Sequence, residues 1–187
     1  YYIQMVLTKV SDINVSNFSI TKVNDNMYIR DGNEPVEIQS EWITLDKFPL
    51  PNLKFVKDIV ASVPLSIPVD KDDNLYKFFK ELSNFLSNSH GNQKLHEYIQ
   101  TKEDKLFLKV KLYKTTKIFI TGNTTPVEIK QMADFYDYLT EGTRLRLIFT
   151  LGKQWKMSGE YGFPPIVSRI QIDGEHIRLP QKIDFVE

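Results

Sequence analysis

From Lys105 to Phe119 the chain reads KLFLKVKLYKTTKIF, and polar and apolar positions alternate with a period of two. Leu106, Leu108, Val110 and Leu112 share one parity, while Lys105, Phe107, Lys109, Lys111, Tyr113, Thr115, Lys117 and Phe119 share the other. Successive side chains of a strand leave opposite faces. The pattern therefore predicts a strand with one apolar face and one face of lysines interleaved with aromatic rings. Thr143 to Leu151 repeats it, with Leu145, Leu147, Phe149 and Leu151 on one side and Arg144 and Arg146 on the other. A last strand is predicted over Ile166 to Ile172, with Arg169 on its polar side.

The N-terminal third predicts a strand at Met27 to Arg30, a turn at Asp31-Gly32-Asn33 and a second strand from Val36 to Leu45. Phe48-Pro49-Leu50-Pro51 breaks the pattern before Ile59, Ala61, Val63, Leu65 and Ile67 alternate again. Pro64 and Pro68 put that strand at an edge or end it early.

A period near 3.6 marks two helices. Leu75, Phe78, Phe79, Leu82, Phe85 and Leu86 form one apolar stripe after the N-terminal anions Asp72 and Asp73, with Gly91 as a stop. A short helical piece is predicted at Gln93 to Gln100. The second helix is predicted from Thr125-Pro126-Val127-Glu128, which carries capping-box chemistry, through Met132, Phe135, Tyr136 and Leu139 to Gly142. The expectation is a mainly β chain with inserted helices, one OB-fold-like domain across residues 1–187 with a helical insertion at about 72–100. A plain α+β sandwich fits the same order.

Composition narrows the class. The chain has 187 residues, 41% hydrophobic and 26% charged, which suits a soluble globular protein. No apolar run reaches the length of a membrane span. There are no cysteines, which excludes disulfides and thiolate metal sites and favours a reducing compartment. The opening Tyr1-Tyr2-Ile3 has no basic and then apolar leader, so it reads as a trimmed chain and not a signal peptide.

Net charge is zero, but it is unevenly spread. Residues 1–104 hold 11 Lys+Arg and 15 Asp+Glu, residues 105–171 hold 11 and 5, and residues 172–187 hold 2 and 4. The middle block is thus +6, and the rings lie there too. Ammonium groups suit phosphates and flat rings suit bases, so this mixture points to single-stranded nucleic acid. The candidate contacts are Lys105, Phe107, Lys109, Lys111, Tyr113, Lys117, Arg144, Arg146, Lys153 and Trp155, with Lys156 and Tyr161 in the same Gly152–Tyr161 loop. Neither predicted helix has the basic and amide face of a major-groove reader.

Catalytic signatures are absent: there is no GxxxxGK[ST], GxGxxG, GxSxG or HExxH. His90, His96 and His176 are scattered, and Asp72 and Asp73 are explained by a helix N-terminus. No catalytic residue, metal ligand set or cofactor is implied, and the expectation is a non-enzyme. An interaction or viral assembly module that docks an acidic partner through its basic strand fits the same features.

Several segments resemble a known family. Phe135-Tyr136-Asp137-Tyr138-Leu139, Gly142-Thr143, Leu145-Arg146, Trp155, Tyr161-Gly162 and Arg169-Ile170-Gln171-Ile172 resemble the C-terminal half of the phage-type single-stranded DNA-binding proteins, found in podoviruses and in large nucleocytoplasmic DNA viruses. Val36-Glu37-Ile38-Gln39-Ser40 resembles the family's first barrel strands, Phe78 to Leu86 its inserted helix, and Lys105 to Tyr113 its lysine-rich strand. The resemblance implies an OB-fold that coats single-stranded DNA in viral replication, repair and recombination. It also implies polymerase and helicase–primase as partners, inside an infected cell. Family members often end in an acidic, aromatic-tipped tail. Here Lys182-Ile183-Asp184-Phe185-Val186-Glu187 is only mildly acidic, so the tail is expected to be absent, short or outside this chain.

Overall fold

In a computed structural model, which describes residues 7–32, 34–52, 61–89 and 93–176, the alternation of the sequence becomes a curled sheet. The N-terminal part supplies β1 (Leu7–Lys9), a hairpin of β2 (Phe18–Val23) and β3 (Asn26–Asp31), then β4 (Glu34–Pro35), β5 (Glu37–Gln39) and β6 (Ile43–Thr44). The hairpin turns on Asn24 and Asp25, both at positive φ, as two-residue hairpin turns that match strand twist require. β7 (Ser62–Val69) leads to α1 (Asn74–Ser89), followed by β8 (Lys94–Leu95), β9 (Ile99–Lys102) and the long β10 (Lys105–Ile120). The chain ends, as far as it is described, with β11 (Arg144–Leu151), β12 (Trp155–Met157), β13 (Glu160–Gly162), β14 (Pro165–Ile172) and a 3-10 helix at Gly174–His176.

The main sheet runs β1-β5-β11-β14-β10-β7, with β6 on β11 and β9 on β10. β10 reaches both sides of the fold. Its Leu106–Tyr113 half is antiparallel to β7, and its far half is parallel to β14. The pairing with β14 slips between Leu112 and Lys117, a bulge that bends the strand. Thr116 satisfies the bulge: its buried hydroxyl accepts the Tyr113 N–H at 3.1 Å and donates to the Val167 carbonyl at 2.8 Å. At the seam, the Ser66 N–H donates to the Pro49 carbonyl at 2.8 Å, which brings the segment after β6 beside β7. The result is an OB-fold-like, β-rich architecture whose main sheet does not close into a barrel among the described residues.

The inward face is the apolar parity of each strand. Leu65 and Ile67, Leu108 and Val110, Leu147 and Phe149, and Ile170 and Ile172 are all fully buried. α1 closes one end, where Phe79 stacks on Phe149 with centroids 5.9 Å apart. Phe18 packs edge-on against Phe78 at 6.3 Å, which ties the N-terminal hairpin to the same helix. Each large apolar side chain withdrawn from water here contributes about 1.5–3 kcal/mol.

Three expectations need correction. No α-helix runs from Thr125 to Leu139. Val127 is instead bridged to Ile118 at the end of β10, its N–H donating to the Ile118 carbonyl at 2.8 Å. The helical turn that does form is a 3-10 helix at Met132–Asp137, where Asp134 accepts the Lys130 and Gln131 N–H groups. A later capping box and a strand bridge thus override the one at Thr125. Gln93 to Gln100 is also not helical. β8 pairs with β13 and β9 with β10, so the helical part of the insertion is α1. Val36 to Leu45 is broken at Ser40, whose hydroxyl accepts the Leu147 N–H at 2.9 Å in place of a continuing ladder. α1 and the edge placement of β7 stand as expected. Ile59, His90, Gly91 and the 182–187 tail lie outside the described residues.

Candidate nucleic-acid interface

The outward parity of β10 meets the outward parity of β14 and β11 in register. Lys111 lies opposite Ile166, and Ile166 opposite Thr150. One row on, Lys117 lies opposite Arg169, which lies opposite Ile148. The next row joins Phe119, Gln171 and Arg146. Lys109, Lys117 and Arg169 are exposed; Phe107, Lys111, Tyr113 and Arg146 are half-buried. The outer wall is therefore cationic across two strands and ringed along one.

A groove opens on this wall. β9 pairs with β10 as far as Leu108, and β14 joins the ladder at Lys111. In the interval lies a groove of ≈ 560 Å³ between Lys109 and Lys111 on one side and Trp155, Lys156 and Met157 of β12 on the other. Pro64, Pro164 and Pro165 complete apolar walls. The β12–β13 hairpin turns on Ser158 and Gly159, both at positive φ, so the Gly152–Tyr161 loop is largely a hairpin. Trp155 packs edge-on to His96 with centroids 5.3 Å apart. A Cβ at Gly162 would come within 3.2 Å of Trp155 Nε1, so glycine is what lets the indole lie across β13. His96 Nδ1 faces Glu160, and the Lys94 and His96 hydrogen bonds to Glu160 hold its carboxyl below the ordinary value.

The other expected contacts stand elsewhere. Lys105 is bound to Asp46; its hydrogen bond and charge lower the Asp46 carboxyl, and Asp46 raises the Lys105 ammonium in return. Arg144 pairs with Asp173 at 2.9 Å, and Arg146 Nε donates to Gln171 Oε1 at 2.6 Å. Lys153 is exposed on the loop before β12, a loop held by the Gln154 N–H to the Met27 carbonyl. Tyr161 is fully buried, its hydroxyl donating to the Leu86 carbonyl at 2.8 Å, which removes it from the surface mixture expected of it. Among the described residues no group of His, Asp and Glu is arranged to hold a metal ion, and no helix is long and apolar enough to cross a membrane.

Sequence reasoning missed Trp42. Its ring lies 5.1 Å from the guanidinium carbons of both Arg144 and Arg146, a doubled cation–π contact that fixes the pair. A signal existed. Val36 and Ile38 are even-numbered, whereas Ile43 and Leu45 are odd, so the inward parity switches between them and Trp42 turns outward at the switch.

No protein-family model and no curated protein matches the chain. Solved structures do. The single-stranded DNA-binding protein from bacteriophage Enc34 aligns with TM-score 0.52 at 10% identity, over 90% of this chain and 96% of that one. Its C-terminally truncated form aligns with TM-score 0.50 at 9% identity, over 82% and 91%. Gp2.5, a single-stranded DNA-binding protein encoded by bacteriophage T7, aligns with TM-score 0.45 at 8% identity, over 74% and 86%. Identities this low speak for architecture alone, and by the Enc34 alignment the chain has the fold of a phage-type single-stranded DNA-binding protein.

Proposed function

We propose that the chain binds single-stranded DNA without sequence preference and is not an enzyme. The observation that carries this reading is the groove where Lys109 and Lys111 of β10 face Trp155 and Lys156 of β12. Lysines beside an apolar, ring-lined cleft offer phosphate attraction and base stacking together, and both tolerate any sequence. The wall is made of strands, so it presents no helix to a duplex groove. Stacked bases inside a duplex would be hidden from the indole, while an extended strand can splay them. Lys117, Arg146 and Arg169 continue the cationic track across β14. In this reading the chain protects single strands during viral replication, repair and recombination in an infected cell, with polymerase and helicase–primase as further partners.

Met157, 70% exposed beside the groove, favours a second reading: an assembly or interaction module that docks an acidic partner on an apolar anchor. Fluorescence anisotropy separates the two. Oligo-dT is expected to bind with an affinity that falls steeply with salt through counterion release, and blunt duplex to bind more weakly. Equal affinity for duplex and oligo-dT would overturn the single-strand reading and leave the acidic-partner module. Oligo-rU bound as tightly as oligo-dT would widen the ligand to RNA.

A further inference from the structure

Phe48 combines two properties that seldom coincide. The residue is 82% exposed, and its backbone sits at φ +53°, a left-handed conformation that bulky L-residues adopt only under constraint. The flanks supply the constraint. Leu45 is buried, with its N–H bonded to the Thr143 carbonyl, and Pro49 is buried, with its carbonyl bonded to the Ser66 N–H. The chain is pinned on both sides, and the excursion between the pins pushes Phe48 away from the core.

What lies beside it is a shallow floor. β7 runs alongside, and its outward residues Ser62, Pro64, Ser66 and Pro68 are all short. Across β7, Phe107 lies opposite Pro68, Lys109 opposite Ser66 and Lys111 opposite Pro64. Two strand spacings, about 10 Å, separate the Phe48 segment from β10. The floor therefore has lysines and a ring along one side, and along the other the segment that carries the exposed Lys47 and Phe48.

The geometry points to Phe48 as a second base-stacking site for single-stranded DNA, across β7 from Lys109. This rests on the DNA-binding reading above and adds a residue and a direction to it: the strand crosses β10 from the Trp155 groove onto β7. One exposed ring over a floor of two serines and two prolines is too small an apolar surface for a stable protein interface, whereas one ring is what one base stacks on.

The test uses Phe48→Asn, because asparagine tolerates positive φ. Oligo-dT affinity should fall about 5- to 150-fold, the loss of one stacked base. Binding of an abasic deoxyribose-phosphate strand of equal length should not change, and Phe48→Tyr should bind oligo-dT as wild type does. Phe48→Gly, which relieves the backbone, should melt no lower than wild type and show the same loss. Lys109→Glu with Lys111→Glu serves as the reference and should weaken both ligands. If that reference is weakened while Phe48→Asn and Phe48→Gly bind oligo-dT normally, the stacking assignment is overturned and the DNA-binding reading survives. Wild-type protein that binds neither strand overturns both. A shift of Phe48→Asn from dimer to monomer in sedimentation, with oligo-dT affinity unchanged, assigns the ring to a second copy of the chain and also overturns the proposal.

Discussion

Tyr98 shows how an aromatic residue near the groove serves the fold. It is 5% exposed, and its hydroxyl oxygen accepts the buried Phe163 N–H at 3.1 Å. Burial pushes its phenol pKa far above the ordinary value, and burial raises Tyr161 in the same direction. A folded-state pKa above the unfolded one favours the protonated, folded form. Stability should therefore be level with respect to these groups below the unfolded tyrosine value of about 10, and fall as pH rises above it. Tyr98→Phe removes the hydrogen bond from the Phe163 N–H and should cost about 0.5–1.5 kcal/mol at neutral pH. Urea midpoints at pH 8 and pH 10.5 check both parts: the variant should start lower and lose less between the two. A wild-type and variant pair with identical losses would remove Tyr98 as a source of the alkaline sensitivity. Trp42, by contrast, turns its ring outward under two guanidiniums, and only its switch of parity hinted at that.

Among the elements, legibility followed how local the deciding interactions are. β10 and β11 were readable because each writes both of its faces into a period of two, and α1 because its stripe faces one core. β9 was not, although its partner Lys105–Leu108 follows after a two-residue turn at Glu103 and Asp104, because four residues fit either period; β8 was not, because it is shorter still and its partner, Glu160–Tyr161, lies far along the chain. The Thr125 segment failed for a related reason: its local cap competes with a bridge to Ile118 that no local pattern reveals. Where the pattern was legible it makes a sharp prediction. Lys109 and Lys111 point outward from β10, and Leu108 and Val110, which alternate with them, point in. Lys109→Glu with Lys111→Glu should leave the melting transition nearly unchanged and weaken oligo-dT binding at least about tenfold in moderate salt. Leu108→Ala should do the reverse, costing about 2–5 kcal/mol of stability. A folded lysine double variant that binds oligo-dT normally would remove the outer face of β10 from the proposed site.

On the scale of the whole molecule, the sequence located the basic block but could not rank its cations. A charge count treats Lys105, Lys109, Lys117, Arg144 and Arg146 alike. The fold does not. Lys105 faces Asp46 across the end of β7, and Arg144 is paired with Asp173, so a phosphate would have to compete for either. Lys109 stands exposed at the groove, and Lys117 stands exposed beside Arg169. These ion pairs join segments far apart in the chain, which is why alternation along one strand could not foresee them. The distinction is measurable, because each phosphate contact adds about 0.7 to the slope of log affinity against log salt for a single strand. Lys109→Ala and Lys117→Ala should each flatten the oligo-dT slope by about that amount, and equally for oligo-dT and mixed-sequence strands. Lys105→Ala frees the Asp46 carboxylate while removing no phosphate contact, so its slope should match wild type. A Lys105→Ala slope as flat as that of Lys109→Ala would show that bound DNA displaces Asp46. The strand would then run along the full length of β10 toward Lys105, instead of leaving it at the groove.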